Sequence, residues 1–234
     1  MKSVNQAIYA RLLISVISLA MDTPRAMASG DAILQSLCAS CHSITESKSN
    51  DISERLTRKA YHPNHRGCTK YQREWLQNWL TEPEQIHPAG YFPNRRIINT
   101  EDGDQINPEA EFKHPALSRD DANTVSEAMM ALRSRDDLIK ADSYQPGTVA
   151  MRMGVMDFRR FKGCDACHQD STTSGGLSGP VLYDAAKRLQ PAYLSSFIQN
   201  PVAWDSNTTM PVLEMNEAAV HRLVHYLMML EGDK

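Results

Sequence analysis

Three things are scarce in this chain, and each scarcity excludes something. The longest apolar run, Leu12 to Met21, covers only ten of the 234 residues, about half of the ~20 that a helix needs to cross a bilayer. No integral membrane span is therefore expected. Basic charge is not in excess either: 25 Lys and Arg face 28 Asp and Glu, for a net charge of −3. Nucleic acid is accordingly not an expected partner. Cysteine is nearly absent outside one motif. Of five cysteines, four fall in two C-x-x-C-H sequences and only Cys68 is left over, so the chain is not a disulfide scaffold.

The two motifs are Cys38-Ala39-Ser40-Cys41-His42 and Cys164-Asp165-Ala166-Cys167-His168. In C-x-x-C-H both thiols lie on one side of a helical turn, where each adds to a haem vinyl group, and the adjacent histidine falls under the iron as proximal ligand. A single copy would leave open a redox C-x-x-C or half a zinc site. Two copies weigh against both. Two covalently bound haem c groups are expected, attached at Cys38, Cys41, Cys164 and Cys167 and ligated by His42 and His168.

The N-terminus has the pattern of an export signal. Lys2 and Arg11 bracket a positive region, Leu12 to Met21 is apolar, and Ala26-Met27-Ala28 is a small-x-small cleavage site. Residues 1–28 are expected to be removed, leaving a periplasmic protein that starts at Ser29. That segment carries Lys2, Arg11 and Arg25 against Asp22, so its loss takes the net charge from −3 to −5. The more negative product suits a docking face for a basic protein.

Periodicity organises the remainder into two similar halves. Ala32 to Leu37 leads as a short helix into the first motif, and Gln72 to Leu80 reads as a helix with Trp75, Leu76, Trp79 and Leu80 on one stripe. Residues 84–113 read as a long loop with Pro88, Pro93, Pro108 and the acidic run Glu101-Asp102-Gly103-Asp104. A helix then runs from the N-cap Ser118 to about Leu132. In the second half Gly154 to Lys162 leads into the second motif, and Ser171 to Gly179 reads as a flexible loop. Tyr193, Leu194, Phe197 and Ile198 repeat the earlier stripe, Pro201 stands where Pro83 stood, and Asn216 to Leu230 is the last helix. An internal duplication accounts for this order. The domains expected are 29–132 and 150–234, joined by a linker over 133–149.

Each half resembles a class I cytochrome c domain, and the pair resembles a tandem dihaem cytochrome c. The residues that carry the resemblance in the second half are Gly154, Phe158, Cys164 to His168, Gly179-Pro180, Arg188, Tyr193-Leu194, Pro201, Met210-Pro211 and Tyr226-Leu227. The resemblance implies an all-α fold, in which two tandem helical domains each wrap around a covalent haem. It also implies that the Pro180 carbonyl orients His168, that Met210 is the distal ligand, and that the first and last helices of each domain pack together. In the first half no Gly-Pro follows the motif and Met-Pro does not occur.

The distal ligand of the first haem has several candidates. Working back from the last helix of each half sets His114-Pro115-Ala116-Leu117 against Met210-Pro211-Val212-Leu213, which makes His114 the preferred ligand. Counting forward from Pro83 gives Phe92 instead, and so an open site. Cys68, His62, His65 and His87 complete the set. Cys68 also reads as an inert buried thiol, as a half of an intermolecular disulfide, or as a distal thiolate of the kind found in sulfur-oxidising cytochromes. Arg188 is either a solvated helix charge or a partner for a haem propionate. Arg66, Lys70, Arg95 and Arg96 are similar candidates beside the first haem.

Two functions follow. The first is a carrier, or the cytochrome subunit of a dehydrogenase complex, that passes single electrons between redox proteins. The second is a haem enzyme that oxidises a small sulfur compound, as a thiosulfate dehydrogenase does, with the second haem as electron exit.

Overall fold

A computed structural model of the chain describes residues 30–45, 66–90, 92, 96–110, 113–140 and 144–230. The expected signal segment, His62, His65 and Arg95 lie outside them. The first half is helical from residue 30 and passes into a π-helical turn, Leu34–Cys38, that carries the first cysteine. There follow α1 (Gly67–Lys70), α2 (Arg73–Thr81), the strands β1 (Ile97–Thr100) and β2 (Gly103–Ile106), and α3 (Arg119–Ala131). The second half opens with α4 (Met151–Val155), which continues as a π-helical turn, Met156–Phe161. It goes on through β3 (Gln169–Ser171), β4 (Ser174–Gly175), α5 (Ala185–Arg188), α6 (Pro191–Gln199), α7 (Pro201–Trp204) and α8 (Glu217–Met229).

The expected all-α class is corrected by two small antiparallel sheets, each of two strands. β1 and β2 form a hairpin in which Thr100 faces Gly103. The β-branched Ile97, Ile98 and Thr100 favour strand, and Asp102-Gly103, with Gly103 at φ 104°, supplies the tight reversal. Of the acidic residues that made this stretch read as loop, Glu101 and Asp102 sit on the exposed turn and Asp104 is an exposed position of β2. β3 and β4 pair at the start of the stretch read as a flexible Ser/Gly/Thr loop, the chain reversing at Thr172-Thr173, and Gly175 at φ 114° lets β4 pass close to the His168 carbonyl. Among the described residues no helix is long and apolar enough to cross a membrane.

The long helices form where their ends are capped and one face is apolar. Ser118 Oγ accepts the Asp121 N–H at 3.2 Å and Asn216 Oδ1 accepts that of Ala219 at 2.9 Å. Asp120 and Asp121 in one first turn, and Glu217 in the other, complement the helix dipole. Counted from these caps, every buried position of α3 recurs on α8, which buries Ala219 as well. Ala122, Val125, Ser126, Ala128 and Met129 on α3 match Val220, Leu223, Val224, Tyr226 and Leu227 on α8.

In both halves the leading helix crosses the last one at a glycine. A Cβ on Gly30 would lie 2.6 Å from the Thr124 carbonyl oxygen and 3.0 Å from Ala128 Cβ, and one on Gly154 would lie 2.4 Å from the Tyr226 ring. Only glycine lets these helices approach so closely. One turn further on, Leu34 and Phe158 are each 1% exposed, and they anchor their respective cores.

The two cores meet at a short antiparallel bridge. Gln72 N donates to Arg188 O at 2.8 Å and Gln190 N to Lys70 O at 3.0 Å, on either side of the Tyr71–Leu189 pair. Gln72 Nε2 donates to Leu189 O at 3.2 Å, and Gln190 Nε2 to Tyr71 O at 2.9 Å and Cys68 O at 2.6 Å. Lys70-Tyr71-Gln72 precedes α2 as Arg188-Leu189-Gln190 precedes α6, so each half offers the equivalent tripeptide to the other. That is the pattern of a self-complementary two-fold contact. Part of the expected linker also docks on the second half: Leu138, Ile139 and Tyr144 pack against its core, and Ser196 Oγ donates to Leu138 O at 2.7 Å.

Buried charge fastens the second half further. Asp170, 4% exposed, accepts from Arg159 Nε and Nη2 at 3.0 and 2.7 Å and from the Tyr226 hydroxyl at 2.7 Å. Asp157, also 4% exposed, accepts from Arg222 Nε at 2.7 Å. Tyr226→Phe keeps the ring that packs on Gly154 and removes one bond to a buried carboxylate. It is expected to cost about 1.5–3 kcal/mol, measured as a loss of stability in guanidinium unfolding.

Candidate haem sites

The two C-x-x-C-H segments fold alike. Cys41 N and His42 N donate to Cys38 O at 3.0 and 2.8 Å, and Cys167 N and His168 N donate to Cys164 O at 3.2 and 2.9 Å. These short-range bonds close one turn, which holds each histidine beside its own pair of thiols. The described thiols are all free. Burial, then Asp165, pushes Cys164 up to about 11, and burial with the nearby Cys41 raises Cys38. Both shifts favour the protonated thiol over the thiolate.

The second site is built under its histidine. His168 Nδ1 donates to Pro180 O at 2.7 Å, which leaves Nε2 as the ring's remaining nitrogen. Gly179 permits that contact, since a Cβ there would sit 2.6 Å from His168 Nδ1. Gly179 N is itself tied to Cys167 O at 2.6 Å. Burial lowers the His168 pKa against the opposing pull of the Pro180 bond, so the ring is neutral at pH 7. Met210 is half-buried against the second core, and Thr208 Oγ1 accepts from its backbone N–H at 3.2 Å. Arg188 is not a solvated charge. It is 3% exposed, and it donates from Nε to Asp184 at 2.7 Å and from Nη2 to Val181 O.

The first site gathers residues that lie far apart in sequence. The rings of His42 and His114 have their centroids 6.1 Å apart. His114 Nδ1 donates to Pro115 O at 2.8 Å and burial lowers its pKa, so this ring too is neutral with Nε2 remaining. Trp79 stands 4.7 Å from His114 and 5.7 Å from Trp75, and Trp75 stands 5.6 Å from Tyr71. The helical stripe on α2 thus becomes an aromatic wall running from the junction of the halves to His114.

Both sites open on one cavity of about 1040 Å³, lined by Cys38, His42 and His114 on one side and Cys164, Cys167, His168 and Met210 on the other. Single-ligand pockets occupy about 300–1,000 Å³. Lys70 and Arg188, equivalent by position beside the bridge, both line it, as do Arg66 and Arg96. So do His87 and Phe92, whereas Cys68 does not. The lining therefore gives no support to Cys68 as a thiolate ligand of the first site.

The residues present fit haem. Among the described residues no group of three or more His, Cys, Asp or Glu is gathered as a bare metal ion requires. A porphyrin brings its own four nitrogens and asks the protein only for axial ligands, and each site offers neutral donors for that: imidazole with thioether, and imidazole with imidazole. The Gln72 and Gln190 side chains, which fix how the sites face each other, carried no signal in the sequence. No protein family, no curated protein and no solved structure matches the chain.

Gly179→Ala is expected to open the His168–Pro180 contact and cost about 1–3 kcal/mol, as overpacking does. Gly163→Ala, with open space around its Cβ, should incur only the left-handed backbone penalty of about 1 kcal/mol. Parallel guanidinium unfolding of the two variants checks the difference.

Proposed function

We propose that the chain is an exported dihaem c-type cytochrome of the tandem class I kind, passing single electrons between redox proteins in a respiratory or dehydrogenase chain. The observation that carries this reading is His168. Its Nδ1 is held at 2.7 Å by the Pro180 carbonyl, and the ring borders a cavity that Cys164, Cys167 and Met210 also line. Bound haem supplies a one-electron iron couple. The chain's own part is to hold, orient and tune it. Cys38, Cys41, Cys164 and Cys167 fix the two groups by thioether bonds. His168 and Met210 would hold the second, and thioether ligation would raise its potential. His42 and His114 serve the first with two imidazoles, which leave its potential lower.

With the first potential below the second, electrons would enter at the first half and leave from the second. The shared cavity supports short internal transfer, and the aromatic rings of α2 stand beside the first site. Export to the periplasm rests on the pattern of residues 1–28, and the acidic balance of residues 29–234 suits a basic redox partner.

A pyridine haemochrome assay on the mature protein should return two haems per chain, and one or none would overturn the reading. Low-temperature EPR of the oxidised protein should show two low-spin species. His114→Ala should convert one of them to high spin, and an unchanged pair would exclude His114 as a ligand.

A further inference from the structure

The loop that holds the second proximal histidine is itself held by the first half. Residues 86–89 run antiparallel to residues 177–181: Val181 N donates to Ile86 O at 2.8 Å and Ala89 N donates to Leu177 O at 3.1 Å. Between these two bonds the His87 ring reaches across, with Nε2 2.8 Å from the Ser178 carbonyl oxygen. The clamped segment contains Gly179, which touches the His168 ring, and Pro180, whose carbonyl accepts the His168 Nδ1 proton.

The strap is stiff on its own side. Gly90 N donates to His87 O at 3.0 Å, Gln85 Nε2 donates to His87 O and Pro88 O at 3.2 and 2.8 Å, and Ala89 is fully buried. His87 enters the cavity lining but spends its Nε2 on Ser178, which is a poor arrangement for an iron ligand and a good one for a brace.

We infer that His87 is a positioning residue for the other half's haem: it braces the Ser178-Gly179-Pro180 loop, and through it the hydrogen bond that sets the basicity of His168. The inference rests on the haem reading above. A carbonyl that accepts the distant N–H of a ligating imidazole makes the imidazole a stronger donor and favours the oxidised metal. Loosening the brace weakens that bond and favours reduction. The first half thereby sets the driving force of the second, without any contact to its iron.

The test uses the full-length mature holoprotein, with each haem titrated separately. The second haem is followed through its sulfur-to-iron charge-transfer band. His87→Phe keeps the volume and loses the bond. It should retain two haems, leave the first midpoint where it was, and shift the second toward reduction by about three- to tenfold at fixed potential, tenfold being 59 mV for one electron. His87→Gln restores an N–H donor and should return the midpoint toward wild type, which a loss of bulk packing alone would not produce. If His87→Phe loads fewer than two haems, His87→Asn, a smaller polar change, carries the same test. A variant with two haems and an unmoved second midpoint overturns the inference while the haem reading stands. Fewer than two haems in the wild type overturns both.

Discussion

The constraint on which the arrangement depends is the antiparallel bridge around Tyr71 and Leu189. Backbone bonds on either side of it lock the start of α2 against the start of α6. Those two helices carry the aromatic stripes, so the bridge decides where the stripes face. Because the tripeptides are equivalent, each core meets the other at the same point of its own fold, and the two pockets open toward one another. Glutamine suits the position: its side-chain amide satisfies carbonyls that α1 and the bridge strand leave unpaired, which an apolar residue could not do.

Around that junction the two sites differ in how they are built. At the second, the motif turn, the Gly179-Pro180 loop and the buried Asp170 with its arginine and tyrosine all lie within one half, and only the strap comes from the other. At the first, His42 and His114 come together only because the chain between them folds back through α2 and the β1–β2 hairpin. The inserted hairpin and the histidine that comes after it belong together. On the reading proposed above, the insertion would lengthen the distal side, and imidazole would stand there in place of thioether.

How much the sequence disclosed depends on range. The C-x-x-C-H turns are closed by bonds spanning three or four residues, so the motif alone specifies them. The helices of the two stripes, the cap Ser118 and the start of the last helix at Asn216 were likewise readable from the sequence. Counting back from α3 named His114, and the fold sets its ring centroid 6.1 Å from that of His42. The hairpin at 97–106 was not, because Glu101, Asp102 and Asp104 obscured a β-branched pair followed by Asp-Gly. The bridge was hidden for another reason: Gln72 and Gln190 meet partners more than a hundred residues away, and nothing local marks them. His87 stood among the spare ligands, yet its role depends on Ser178, 91 residues on.

The self-complementary bridge has a bearing on assembly. Its handful of hydrogen bonds is too small a patch to hold two free domains together at ordinary concentrations, since association must offset lost translational and rotational freedom. Covalent connection through residues 133–149 changes that accounting. A short tether raises the effective concentration of one half around the other to about the millimolar range, and the docked residues Leu138 and Ile139 shorten it further. A contact that would be fleeting between separate chains thus becomes a permanent one within a single chain.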